Sequence, residues 1–386
     1  MSARIVTFTN LFPSAAFPNH GVFVRDRMQR VVARLGVEWT VVCPVPEAPW
    51  PLRRWVYRRQ AAMPAEERVG GVQVLHPRYR HLPGLGVSGQ ARAMARGAAA
   101  ALAALVRRER CVVDAHYAYP DGVAAAQLAA SLGVPFTITA RGTDVNVLLR
   151  RPALQRQIRA CAPGAGALFA VSEALRRAFV AVAGVPDAAV RLARNGVDLE
   201  RFRPGDRAAA RVALGLPDRG PLVLGVGRLV RAKGFHDLLA ALRDLPGATL
   251  VLVGEGPERH RLERRAPAGR LLCLGPLPQA RLLLAYQACD VLALPSQREG
   301  WPNVITEALA CGVPVVAYAA GGIPEILTDP HSGTVVPIGD RAALAGALRR
   351  FLASPPTPGS VRAFATRFAW DEPVELLCRT FGGLLG

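Results

Sequence analysis

Leu294-Pro-Ser-Gln-Arg-Glu299-Gly-Trp-Pro302-Asn-Val-Ile-Thr-Glu307-Ala-Leu-Ala-Cys-Gly312 reads as a strand that runs through a loop into a helix. Pro302 suits the first helical turn, where a missing N–H costs nothing. The start of such a helix presents free backbone N–H groups, a ready site for an anion. Glu299 precedes that turn and Glu307 lies inside the helix. The two carboxylates would therefore flank a bound diphosphate, one toward a sugar and one toward a ribose, because ionised carboxylates accept hydrogen bonds from hydroxyls. The plainer alternative is a pair of glutamates favoured by the helix dipole, but Glu307 sits too deep for that to explain well.

Working outward, this strand and helix belong to a repeating series. Strands are expected at 222–226, 249–253, 271–274, 291–294, 313–318 and 334–337. Helices are expected at 235–245, 259–265, 280–288 and 303–310, and the tail 361–381 reads as helical with an interruption near Pro373. An earlier series places strands at 5–8, 40–43, 72–75, 112–115, 136–140 and 167–171, with helices at 24–35, 91–107, 122–131 and 173–183. Residues 44–90, rich in Pro and Arg, read as a loop with a short hairpin or strand at 72–75. The apolar runs are short, lack alternation and are punctuated by Gly and Pro, which points to α/β architecture with buried parallel strands. The pattern resets near 195–204, so the expected organisation is two Rossmann-like domains whose strand ends line a ligand cleft.

A second constellation, Gly225-Val-Gly227-Arg228-Leu-Val-Arg-Ala-Lys233-Gly234, follows a strand and opens a helix. Its glycines let backbone approach a ligand, and Arg228 and Lys233 can neutralise a diphosphate. It fails as a dinucleotide fingerprint because Val230 stands at the third glycine position, which argues against a dinucleotide oxidoreductase. Lys233 is the only lysine among 48 basic residues, which suggests a site that needs a compact point charge. Turns at Gly254, at Gly275–Leu277 and at Gly321-Gly-Ile-Pro-Glu325 follow later strands. Each reads either as backbone offered to a nucleotide or as an ordinary strand-to-helix turn. In the first half, His20-Gly21, Asp114-Ala-His116 and Arg141-Gly-Thr-Asp144 would share one rim. His116 reads either as a residue touching donor sugar or acceptor, or as a histidine finishing a strand.

The 386 residues carry a formal net charge of +19. Dispersed arginines without a nucleic-acid motif argue against nucleic acid; contact with anionic headgroups or a lipid-linked acceptor fits better. A biased genome composition would also account for the arginines. The apolar stretch at 97–106 falls far short of the ~20 residues of a membrane span. The opening MSARIVTFTN has no signal-peptide core, and the seven cysteines form no Cys-x-x-Cys pair. The expected setting is cytoplasmic, with possible peripheral contact at the inner membrane face. No metal-binding pattern, nucleophile elbow or Walker loop stands out.

In this order the motifs resemble the family 4 retaining glycosyltransferases of the GT-B fold, over nearly the whole chain. Glu299 and Glu307 resemble the family's Glu-x7-Glu motif, Arg228 and Lys233 its diphosphate-binding pair, Arg194-Asn-Gly-Val-Asp198 its interdomain segment, and Gly321–Glu325 its Gly-Gly-x-Pro-Glu turn. The resemblance implies two facing Rossmann-like domains, an acceptor-binding one over 1–195 and a nucleotide-sugar-binding one over 196–365, with a helix over 366–386 crossing back to the first. It implies that Glu299, Arg228, Lys233 and His116 act in catalysis. It also implies that Gly227, Gly254, Leu277, Gly300, Trp301, Pro302, Asn303 and Glu307 hold the donor, and that His20, Gly21, Arg141 and Asp144 face the acceptor. The implied reaction is metal- and cofactor-free transfer of a sugar, with retention, from a UDP- or GDP-sugar to a saccharide or lipid-linked acceptor in surface polysaccharide or glycolipid assembly. Two positions depart from the family pattern: the first loop has only Gly21 where many relatives have a glycine pair, and Arg141-Gly-Thr-Asp144 stands where many have His-Gly-Ser-Asp. The alternative on the same fold is a nucleotide-sugar epimerase; a non-enzymatic basic binding protein is disfavoured by the intact Glu299, Arg228 and Lys233.

Overall fold

The computed structural model describes residues 3–48, 57–82, 86–106 and 110–386. Two compact units divide the chain, Met1–Arg194 together with Asp371–Gly386, and Asn195–Trp370.

The first unit is built on an eight-stranded sheet. Its strands are β1 (Ala3–Phe8), β2 (Glu38–Val42), β3 (Glu66–Val69), β4 (Val72–Leu75), β5 (Arg110–His116), β6 (Phe136–Ala140), β7 (Ala167–Ala170) and β8 (Val190–Leu192). Their spatial order is β8-β7-β6-β5-β1-β2-β4-β3. Every pairing is parallel except β3 with β4. All of β6 is buried, and so is β5 after Arg110, as expected of parallel strands covered on both faces. This is why no alternation is visible in their sequences. The helix Asp371–Leu385 belongs to this unit and lies against the helix Val22–Leu35. Cys378 Sγ reaches Val31 O at 3.8 Å, Arg34 pairs with Glu375, and Thr380 Oγ1 accepts from Arg191 at 3.1 Å.

The second unit contains a six-stranded, all-parallel sheet: β9 (Leu222–Val226), β10 (Thr249–Val253), β11 (Leu271–Gly275), β12 (Val291–Leu294), β13 (Val315–Tyr318) and β14 (Gly333–Val336). Its order, β11-β10-β9-β12-β13-β14, is the doubly wound Rossmann order, which reverses direction between β9 and β12. Val223, Leu250, Val316 and Tyr318 of this sheet are buried with Phe235, Leu238, Leu344, Leu348 and Phe351. Both units are therefore Rossmann-like, and the fold is α/β.

Several elements differ from the sequence reading. The helices Pro152–Cys161, Arg207–Leu214 and Arg341–Ala353 were not anticipated, nor was edge strand β8. The helix expected at 235–245 stops at Ala241 and continues as a 3-10 turn, Leu242–Asp244. Arg107, the expected end of a helix, lies outside the described residues, and that helix is described as Gln90–Val106. The segment 44–90 has the hairpin allowed for at 72–75, as β3–β4, and adds a short helix Arg58–Ala61 and the pairing of Val45–Glu47 with Arg78–Arg80. In the tail the break falls at Ala369–Trp370, between the turn Thr366–Phe368 and the helix Asp371–Leu385. Pro373 sits inside that helix's first turn, where no N–H is needed.

Candidate active site

In open α/β sheets ligands bind beyond the carboxyl ends of the strands, where the strand order reverses. In the second unit that point lies between β9 and β12, which pair through Val223–Val291 and Leu224–Leu292. The chain leaves β9 through Gly227 and Arg228 and forms the 3-10 turn Arg231–Lys233; it leaves β12 through Pro295–Pro302 into the helix Asn303–Ala310. Two contacts join these loops. Gln297 N donates to Ala232 O at 2.9 Å, and Lys233 Nζ donates to Glu299 Oε1 at 2.5 Å. The structure thus brings together the sole lysine and the first glutamate of the Glu-x7-Glu stretch. Their side chains are 25% and 12% exposed, a half-shielded pair still open to solvent. Arg228 is exposed at the end of β9.

Each loop is held from behind. Gly227 N donates to Val253 O at 2.9 Å and Leu229 N to Glu255 O at 2.8 Å. A Cβ on Gly254 would lie 2.0 Å from Gly227 O, so that glycine is required by backbone packing. Gly321 has φ +55, and a Cβ there would fall 1.9 Å from Glu299 O. Gly322 N donates to Gly300 O at 3.2 Å. The Gly-Gly-Ile-Pro-Glu turn therefore acts as the backing of the Glu299 loop.

Glu307 accepts a 2.7 Å hydrogen bond from the Tyr286 hydroxyl at Oε2. Tyr286 is fully buried, and burial together with Glu307 raises its phenol well above the ordinary range, so it stays a donor. Trp301 is 6% exposed, donates from Nε1 to Asn195 O at 3.0 Å and meets Phe368 edge-on at 6.1 Å. Asn303 Oδ1 accepts from Asn195 Nδ2 at 3.0 Å. Pro302 occupies the cap position, one residue before the turn expected for it. Leu277 is half-buried after β11, and Gly300 is buried.

In the first unit the corresponding point lies between β1 and β5. His116, at the end of β5, is 1% exposed. Its Nδ1 accepts from an Arg141 guanidinium N–H at 2.6 Å, and its Nε2 lies 2.9 Å from Asp114 Oδ2, outside hydrogen-bond geometry. Burial, reinforced by Arg141 and Arg27 and opposed by Asp114, pushes His116 down to about 4, so the ring is neutral near pH 7. Burial lifts the Asp114 carboxyl, but His116, Thr137 and Arg141 together hold it below the usual range. Asp144 accepts from Ala118 N at 2.7 Å, Gly142 N at 2.7 Å and Arg141 N at 3.1 Å. Asp121, in the loop that follows His116, accepts from Asn10 N at 2.9 Å, Asn10 Nδ2 at 3.0 Å and Thr9 Oγ1 at 3.1 Å. Burial raises both carboxyls, Asp121 well above its ordinary value. The Arg141 guanidinium also lies over Phe23, 5.0 Å from the ring centre. The structure thus gathers His116, Arg141 and Asp144 into one buried polar row. His20 is exposed; Gly21 starts the helix Val22–Leu35 with φ +67.

Tyr286 carries no motif signal, and only its partner Glu307 reveals it. Among the described residues, no group of three or more His, Cys, Asp and Glu side chains is arranged to hold a metal ion, and no helix is long and apolar enough to cross a membrane.

Two Rossmann-like units, one with a lysine–glutamate pair at its switch point, define a GT-B glycosyltransferase. Comparison with known proteins agrees. Residues 24–201 match the model for glycosyltransferase family 4, and residues 206–367 the model for glycosyl transferases group 1. The chain belongs to glycosyltransferase family 4. It is 32% identical over 359 residues to the teichuronic acid biosynthesis glycosyltransferase TuaC of Bacillus subtilis, covering 90% of this chain and 89% of that one. It is 35% identical over 226 residues to D-inositol 3-phosphate glycosyltransferase of Mycobacterium leprae, covering 54% of this chain and about half, 53%, of that relative. Among solved structures, sucrose-phosphate synthase from Thermosynechococcus elongatus superposes with TM-score 0.81 at 23% identity over 100% of this chain and 99% of its own. HepE of Anabaena, solved with UDP, gives 0.72 at 21% identity over 99% and 100%. These relatives are sugar-transferring or share the fold, and the epimerase alternative finds no support among them.

Proposed function

We propose that this glycosyltransferase moves a sugar from a UDP- or GDP-sugar to a saccharide or lipid-linked saccharide, with retention of configuration and with no metal or cofactor, in surface polysaccharide or glycolipid assembly. One observation carries the reading. At the switch point of the second unit, Lys233 meets Glu299 at 2.5 Å, and Glu307 follows with one oxygen already held by Tyr286. A diphosphate entering there draws Lys233 away and frees the carboxylate of Glu299 for sugar hydroxyls. Glu307 would then hold the ribose. Lys233, with Arg228 beside it, supplies positive charge where the diphosphate leaves, the largest single term in reactions of this kind. The bond from the anomeric carbon to the diphosphate oxygen breaks, the acceptor oxygen bonds on the same face, and the acceptor proton passes to the leaving diphosphate. His116, being covered, enters as a buried support of the first unit's rim. The name of TuaC supports a polysaccharide acceptor, and the UDP-bound HepE supports a uridine donor. A cytoplasmic setting with peripheral contact at the inner membrane face fits the net charge of +19.

Thermal stability with UDP, GDP and ADP, each with and without magnesium, tests the proposal. A ligand at ~100 times its Kd adds about 2.7 kcal/mol. A shift with one diphosphate that ignores magnesium is the expected result. No shift with any of them sinks the donor assignment.

A further inference from the structure

The loop that carries Lys233 has a second side. Arg231, two positions earlier, lines a cavity of about 470 Å³ together with Arg261, Arg265 and Arg341. A neighbouring cavity of about 430 Å³ shares His236, Arg265 and Arg341 and adds Arg243. Arginine is the default cation of this chain, so the residue type alone means little; the convergence of four on one concave wall is the signal. Asp237, the single carboxylate among the residues lining the first cavity, is already engaged, by Arg341 Nε at 2.6 Å and by the Tyr318 hydroxyl at 3.1 Å. Nearby Glu258 is met by His236 Nε2 at 2.6 Å and by Arg261 at 3.8 Å. Among the described residues, Arg231 and Arg265 stand in no ion pair within 4.0 Å.

We propose that this cavity is a second anion site, distinct from the Lys233–Glu299 pair, that takes a phosphate- or diphosphate-bearing ligand. A concave wall of like charge focuses potential and concentrates counter-ions. The planar guanidinium fork matches phosphate oxygens in a bidentate manner. The volume falls in the range of small-ligand sites. The cavity also shares structure with the candidate active site. Gly234 and Gln297 form part of its wall, and Gln297 N holds Ala232 O at 2.9 Å. A ligand in the cavity therefore bears on the same short turn that carries Lys233.

The phosphate chemistry has two sources, a free phosphorylated compound or the headgroup of an anionic lipid. Calorimetric titration with inorganic pyrophosphate, and co-sedimentation with phosphatidylglycerol against phosphatidylcholine vesicles, separate them on the full chain. Wild type is compared with Arg261→Gln/Arg265→Gln, with Arg231→Gln, and with Lys233→Ala; melting curves establish that each variant is folded. Arg219→Gln controls for charge alone, since that side chain is 95% exposed. At least one probe is expected to keep binding Lys233→Ala, in which the donor site is disabled, to weaken about tenfold or more when Arg261→Gln/Arg265→Gln is added to that variant, and to hold within twofold when Arg219→Gln is added instead. Pyrophosphate binding without vesicle binding identifies a free phosphate compound, and vesicle binding displaced by pyrophosphate identifies a headgroup. The proposal is overturned if neither probe binds wild type, if the arginine variants bind unchanged, or if binding is lost with Lys233 instead. This outcome is independent of the donor assignment, which Lys233→Ala addresses separately.

Discussion

The two units solve the same topological problem in opposite ways. Each sheet reverses strand order near its middle, between β1 and β5 in one and between β9 and β12 in the other. In the first unit that point is sealed: Asp121, Asp144 and His116 are each 1% exposed or less, and the two carboxyls are held mainly by backbone N–H groups. In the second it is open, and opposite charges face each other in partial contact with solvent. The backbone bonds that hold Asp144 and the Arg141–His116 contact fix that rim in place. A half-exposed ion pair is a weak structural element and so is free to exchange partners. The same fold therefore supplies a frame in one unit and a working centre in the other.

The largest effect expected from breaking this contrast is on rate. Lys233→Ala or Glu299→Gln should lower sugar transfer roughly 100- to 1,000-fold, with little change in melting temperature. A rate within threefold of wild type in both variants would show that the pair is not the working centre. Next comes the backing of Glu299. Gly321→Ala places a Cβ against Glu299 O and should cost roughly 2–4 kcal/mol in urea unfolding; a loss below about 0.5 kcal/mol removes the buttress argument. The sealed rim makes a pH prediction. Folded His116 sits at about 4 against an ordinary 6.5, so below 6.5 the unfolded chain binds the extra proton. The stability advantage of wild type over His116→Gln should thus rise from pH 4 to 6.5, by on the order of 2 kcal/mol, and stay level above. A flat difference across that window would mean the ring is not held neutral. The smallest effect belongs to Tyr286→Phe. It leaves one Glu307 oxygen without its donor and should raise the donor KM about three- to tenfold while kcat holds. An unchanged KM would detach Glu307 from donor binding.

What the sequence made legible follows the same divide. The buried parallel strands announce themselves as short apolar runs, and the Glu299–Glu307 stretch and Lys233 are visible because few residue types do that chemistry at that spacing. The surface helix Arg341–Ala353 was missed because Ala and Arg dominate its sequence, which blurs the contrast between its faces; Arg207–Leu214 has that contrast but is only 8 residues long, too short for a period to stand out. His116 was legible as a residue at a strand end, but its burial was not, because that depends on Arg141 arriving from beyond the neighbouring strand β6 and on the cover around it. Tyr286 reads as one more core aromatic until Glu307 is placed beside it. The 321–325 turn reads from the sequence either as backbone offered to a nucleotide or as an ordinary turn; the structural reason for Gly321 is the Glu299 carbonyl.

The helix Asp371–Leu385 belongs to the first unit although the whole of the second precedes it in the chain. A ribosome working through this message completes Asn195–Trp370 before it has made the piece that lies against Val22–Leu35. The first unit is thus a discontinuous domain. Its birth order is inverted: the part translated first is finished last, and until then the side of Val22–Leu35 that the last helix covers stays open in the crowded space around the exit tunnel.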